Sequence, residues 1–113
     1  MASDPDFVDF VCGQMAAAGT ITFRKMFGEF AVYLNGKVIG LVCDNQFFLK
    51  PTGAGRLLLG VPVEAPPYPG AKPHFLIGEQ LDETDLLTRL VRDTARALPE
   101  PKPKKPRAPK NVK

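Results

Sequence analysis

The chain is poor in the side chains that do chemistry. Among 113 residues there is one histidine, His74, and there are two cysteines, Cys12 and Cys43. Scattered this widely, they form no zinc-ligand spacing and no CxxC redox pair. His74 follows Pro73 with no serine or cysteine nucleophile and partner acid close by in sequence. Gly53-Ala54-Gly55 has neither the length nor the lysine of a phosphate-binding loop. No apolar run approaches the ~20 residues that span a bilayer. The opening MASDPDF is acidic, where a secretory leader would be basic and then apolar. These absences argue against metal, redox and nucleotide chemistry and leave no cofactor to expect. They fit a cytoplasmic, non-enzymatic protein with no membrane partner, in which the cysteines serve as small buried hydrophobes.

Charge is present but unevenly placed. Residues 99–113 hold Lys102, Lys104, Lys105, Arg107, Lys110 and Lys113 against Glu100, a net charge of +5. The chain total of +3 therefore leaves −2 for residues 1–98. The tail alternates proline with base and has almost no apolar content, so it cannot build a core and is expected to be disordered. Two units follow: a domain over 1–98, long enough to bury a real core, and a basic tail over 99–113.

The most informative stretch runs from Arg24 to Thr52. Asn35-Gly36 is the strongest short-range hairpin signal, because a type I′ turn needs φ > 0 at both central residues; Asp44-Asn45 is a weaker one. The spacing predicts a three-stranded antiparallel meander over 29–34, 37–43 and 46–50. With two-residue loops, Val32 faces Ile39, Phe30 faces Leu41, and Leu41 faces Phe48. Side chains alternate along a strand, so one face carries Phe30, Val32, Leu34, Ile39, Leu41 and Phe48. The other carries Ala31, Tyr33, Val38, Gly40, Val42, Phe47 and Leu49. Both are apolar, unlike a sheet with one solvated side. The first is expected to be the core. The second needs cover from a helix, the Pro-rich loop or another chain.

Around the meander, Asp4-Pro5 reads as a capped helix start, with Phe7, Val8, Phe10, Val11, Met15 and Ala18 spaced for a helix over 5–18 that Gly19 ends. Thr20 to Phe23 is β-prone and leads to a bend at Gly28, with Met26 and Phe27 expected in the core. GAGRLLLG, 53–60, holds a turn or two of helix. VPVEAPPYPGAKP then reads as an ordered loop or polyproline II segment, not a strand, with Val63 and Tyr68 available to pin it. His74 to Ile77 is expected as a last edge strand. Asp82 is expected to cap a second long helix, with Glu83 and Asp85 explained by its dipole and not by acid–base catalysis. Leu86, Leu87, Leu90, Val91, Thr94, Ala95 and Leu98 mark its buried face, and Pro99 stops it. The fold class is α+β: an antiparallel meander packed with an N-terminal and a C-terminal helix, followed by the disordered basic tail.

Arg24-x-Met26-Phe27-Gly28, the Tyr33-Leu34-Asn35-Gly36-Lys37 hairpin and Phe48-Leu49-Lys50, taken with the flanking helices and the loop around Tyr68, resemble the N-terminal domain of the TfoX/Sxy family of bacterial competence regulators. The likeness covers roughly residues 7–98. It implies a compact α+β domain, non-enzymatic, tied to transcriptional activation of competence genes alongside a cyclic-AMP receptor protein. Members with that role carry a second, helical C-terminal domain where this chain has its basic tail. Glu29 stands where many relatives have a second glycine.

Three groups are candidate sites. Tyr33, Val38, Phe47 and Leu49 form the second-face patch, either covered internally or open to a protein partner such as the transcription machinery, or to a second copy. Arg24 and Lys25 are either a solvated or salt-bridged strand end or an anion-binding or protein-docking contact. The tail bases, Lys102, Lys104, Lys105, Arg107, Lys110 and Lys113, are either solubilising or a non-specific DNA contact through phosphates; no aromatic is present there to stack on bases. The reading is a regulatory or adaptor domain working by protein contact, with tail-assisted nucleic-acid binding. The alternative is a small-ligand-binding or enzymatic domain using a cleft between the sheet and the Pro-rich loop.

Overall fold

The computed structural model describes residues 3–26 and 28–99. The expectations placed on Phe27 and on the tail, including its disorder, lie outside those residues. The described part is α+β, with one antiparallel sheet in the order β1-β2-β3-β4-β6-β5. Its strands are β1 Ile21–Met26, β2 Glu29–Leu34, β3 Lys37–Cys43, β4 Gln46–Leu49, β5 Glu64–Ala65 and β6 His74–Ile77. The described residues also form three helices, α1 Pro5–Gln14, α2 Gly53–Leu59 and α3 Thr84–Ala97, with a short 3₁₀ turn after α1 at Ala16–Ala18 and another before α3 at Glu79–Asp82.

Both hairpin signals hold. Asn35 and Gly36 have φ of 50° and 85°, and Asp44 and Asn45 have φ of 52° and 55°, the signature of type I′ loops whose twist matches the strands they join. Asn35 does more than turn the chain. Its Oδ1 accepts from the Thr20 N–H at 2.9 Å, and its own N–H donates to the Thr20 carbonyl at 2.8 Å. The β2–β3 hairpin thereby fixes where β1 starts.

Between the loops the register departs from the expected one. Leu34 pairs with Lys37 and Tyr33 with Val38, but the next pairs are Val32 with Gly40, Ala31 with Leu41 and Phe30 with Val42. Ile39 is the extra residue of a β-bulge, and beyond it every side chain of β3 and β4 changes face. Val42, Phe47 and Leu49 therefore enter the core, fully buried, with Val32, Leu34 and Ile39. Leu41 and Phe48, expected there, lie on the other face. Gly40 makes this possible. A Cβ built on it falls closer than 3.0 Å to the Phe48 carbonyl oxygen and 3.0 Å from Phe47 Cε1.

All the helices pack on the bulged sheet's core face. Val8, Val11 and Met15 of the N-terminal segment and Leu87, Leu90 and Val91 of α3 are fully buried in the core cluster that also holds Phe75 and Ile77. Asp4 caps α1 as expected, its carboxylate accepting from the Asp6 N–H at 3.1 Å. The first helix is shorter than its periodicity implies, because the chain tightens to a 3₁₀ turn before Gly19. The second long helix starts later than expected. Asp82 lies in the preceding 3₁₀ turn, and no side chain among the described residues caps α3. Its other end is held from outside, where Lys37 Nζ donates to the Ala95 and Leu98 carbonyls at 2.7 and 3.1 Å. Arg92 ties its middle to the first 3₁₀ turn through the Ala17 and Ala18 carbonyls.

Two edge expectations are corrected. β1 is longer than the sequence implies, reaching Met26, which pairs with Glu29. Met26 is 43% exposed and not in the core. His74–Ile77 is an interior strand, because Glu64 and Ala65 of the Pro-rich segment pair with Phe75 and His74 to form a two-residue β5 outside it. Arg56 of α2 anchors that segment, with its guanidinium 3.0 Å from Glu64 and 5.2 Å over the Phe75 ring.

Candidate functional site: a cleft on the outer sheet face

The bulge that sends Phe47 and Leu49 inward sends Leu41 outward, into line with Ala31 on β2 and Phe48 on β4. The loop after β5 crosses this outer face. Prolines constrain its path, Gly70 supplies a φ of 88°, and the Ala71 N–H closes a turn onto the Tyr68 carbonyl at 3.0 Å. Pro67 is buried beneath it while the Tyr68 ring stays exposed. Between loop and sheet lies a half-open, mostly apolar cleft of about 860 Å³. Ala31 and Leu41 form its floor, Pro67, Tyr68 and Pro69 one wall, and Met26 and Gly28 the other, with Glu29, Cys43 and Asp44 at its end.

That end is organised by Glu29. One carboxylate oxygen accepts from the Ser3 N–H at 3.0 Å and the Ser3 hydroxyl at 2.7 Å, and the other accepts from the Asp44 N–H at 3.0 Å. Ser3 Oγ in turn accepts from the Asn45 N–H, and Asn45 Oδ1 accepts from the Asp4 N–H at 2.7 Å. Five residues distant in sequence thus clamp the entry of α1 to the β3–β4 turn. Nothing in the linear pattern announces this network. Its one trace is an acid following Gly28. Next to it, burial, then the charges of Glu29 and Asp44, raise the Cys43 thiol to about 11. At neutral pH the sulfur is a protonated, poorly nucleophilic group.

The sites expected from sequence do not assemble as drawn. Phe47 and Leu49 have no solvent exposure and cannot belong to a surface patch. Tyr33 and Val38 are cross-strand partners, half-buried, on the outer face. Arg24 pairs with Ala31 and Lys25 with Phe30, so successive residues of β1 put the two bases on opposite faces of the sheet. Neither makes an ion pair within the described residues, and both are exposed. They cannot converge on one anion. The tail bases lie outside the described residues. His74 Nδ1 is 2.9 Å from the Lys72 carbonyl, a local loop contact. Among the described residues no group of histidine, cysteine and acid side chains could hold a metal ion, and no helix is long and apolar enough to cross a membrane.

Sheet order, helix placement and the loop-covered outer face define a small α+β domain with an apolar cleft on its outer face. The chain belongs to the family of the TfoX N-terminal domain, whose model matches residues 13–98, a span that takes in the whole sheet, α2 and α3. It is also 42% identical over 105 residues to a protein of Spirochaeta aurantia described as an uncharacterized 12.7 kDa protein in the trpE 5′ region, the alignment covering 93% of this chain and 91% of that one.

Proposed function

We propose that this is a non-catalytic regulatory or adaptor domain that acts in the cytoplasm by protein contact, in the manner of a competence-type transcription regulator, with the basic tail adding non-specific attachment to nucleic acid. The observation that carries the reading is the open edge of the sheet. Among the described residues β1 has a neighbour on one side only, its residues 22–26 are all exposed, and Phe23 and Met26 are 42% and 43% exposed beside Arg24 and Lys25. An edge strand presents unpaired backbone donors and acceptors to another chain, and bases along it keep identical copies from pairing there. An acidic extended partner strand fits that edge. The test is affinity capture from the native cell with the full chain and with its Arg24→Glu/Lys25→Glu variant. A partner held by the first and lost by the second, at equal thermal stability, supports the reading; the same partners on both refute the edge. Nucleic-acid attachment is read by filter binding across salt, where each phosphate contact contributes a slope of about −0.9 in log K against log salt. Replacing the six tail bases with glutamine should flatten that slope.

The cleft supports a second reading, that of a small-ligand site. Its volume of about 860 Å³ lies within the ~300–1,000 Å³ of ordinary ligand pockets. A rise in Tm with one member of a metabolite library, abolished by Leu41→Glu, would favour it.

A further inference from the structure

The cleft and the tail are complementary in three independent respects, and we propose that the end of the tail, residues 107–113, folds back into the cleft of its own chain. The first respect is charge. The tail carries +5 against −2 for the rest, and the end of the cleft is closed by Glu29 and the exposed Asp44. The second is backbone chemistry. The floor belongs to β2 and β3, interior strands with a neighbour on each side, so an occupant cannot pair as an added strand. A polyproline II segment has no internal hydrogen bonds to satisfy, and Pro-rich ligands dock in grooves lined by apolar and aromatic side chains. Pro67, Tyr68, Pro69 and Met26 supply such walls, and the tail places Pro103, Pro106 and Pro109 among its bases.

The third is reach. Leu98 is held by Lys37 beside the Asn35-Gly36 hairpin on the core face, and the cleft lies on the outer face at the far end of the same strands. The path therefore rounds the hairpin, about 10 Å at the spacing of packed layers, and then runs six residues, about 20 Å at the rise of a strand. Fourteen further residues, 100–113, span about 43 Å as polyproline II. Roughly two-thirds of the tail covers that distance, and the remainder, from Arg107 onward, is left to occupy the cleft. Tethering gives the contact an effective concentration in the millimolar range, enough for a weak docking to persist at low salt.

The chain carries its own probes, because Met1, Met15 and Met26 are its only methionines. Met26 lines the cleft. Met15 is buried in the core, beside the 3₁₀ turn that Arg92 of α3 holds. A nitroxide is placed on Asn111→Cys in the full chain; the native thiols, lifted to about 11, react far more slowly. The ¹³C-methyl spectrum of the methionines is then recorded, with Met26→Leu to assign its peak. Docking predicts loss of the Met26 signal with Met15 retained, and recovery of Met26 in about 1 M salt, where the Debye length falls to ~3 Å. A free tail pivoting at Leu98 predicts broadening of Met15 at least equal to that of Met26, which overturns the proposal. So does loss of Met26 in a mixture where the nitroxide sits only on unenriched chains, since that assigns the cleft to a second copy's tail. The labelled Lys105→Gln/Arg107→Gln/Lys110→Gln variant, altered only outside the folded part, should restore the Met26 signal; unchanged loss refutes the electrostatic basis.

Discussion

Gly40→Ala is the sharpest test of how the strands are packed. A methyl group at this position meets the Phe48 carbonyl oxygen at under 3.0 Å, Phe47 Cε1 at 3.0 Å and Leu49 Cα at 3.2 Å. Two of the three obstacles are backbone, so no rotamer change relieves the contact. β3 and β4 must move apart where Gly40 pairs with Leu49, loosening the ladder above Phe47 and Leu49 in the core. Overpacking usually costs about 1–3 kcal/mol, and a backbone obstacle puts this case near ~3 kcal/mol. With a urea m-value of roughly 1–1.5 kcal/mol per molar for a domain of this size, the midpoint should fall by about 2–3 M at unchanged m. A loss below about 0.5 kcal/mol, the level of a neutral surface change, would mean that β3 and β4 do not approach this closely, and the account of the bulge would fail with it.

Other consequences follow from single contacts. Lys37→Met removes the ammonium that holds the Ala95 and Leu98 carbonyls and should cost about 1–2 kcal/mol of stability by urea titration; no change would deny the helix-end role. Glu29→Gln removes the charge from a carboxylate that accepts from Ser3 and Asp44, for a loss of about 1–2 kcal/mol. It should also speed alkylation of Cys43, whose raised pKa owes its second cause to that carboxylate. Thr94→Val should stabilise by about 1 kcal/mol, because the buried Thr94 Oγ1 has no hydrogen-bond partner among the described residues; destabilisation would reveal a partner. Burial, then Asp9, lifts Cys12 from 9.0 to about 11, and burial, then Glu29 and Asp44, lifts Cys43 equally. Between those values the unfolded chain releases protons that the folded one keeps. Stability is therefore unaffected below pH 9 and falls as pH rises toward 11, an effect that Cys12→Ala/Cys43→Ala should abolish.

Local signals were legible to the degree that they were local. Asn35-Gly36, Asp44-Asn45 and Asp4-Pro5 announce two hairpins and a helix start through the backbone angles and donors those residues satisfy, and all three occur as read. The bulge was not legible in the same way, because hydrophobic alternation is nearly symmetric here. Val38, Val42 and Phe47 are as apolar as Ile39, Leu41 and Phe48, so pattern alone cannot choose a face. Gly40 was the available sign, a glycine inside a strand where a neighbouring backbone comes close. Misreading it placed Phe47 and Leu49 in a surface patch and hid the cleft, whose floor needs Leu41 facing outward. The Glu29 clamp and the Lys37 helix-end contact join residues tens of positions apart, beyond the reach of any window along the chain. Arg24 and Lys25 looked like one site because they are adjacent, and a strand separates what a turn would have joined.

The faces of the sheet rest on pairing, and pairing is directly measurable. Cross-strand backbone NOEs in the full-length protein should connect Phe30 with Val42 and Ala31 with Leu41, while Val32 reaches Gly40. NOEs joining Phe30 to Leu41 and Ala31 to Gly40 as direct cross-strand pairs would instead mean an unbroken ladder. Phe47 and Leu49 would then turn outward, and the cleft over Leu41 would not exist.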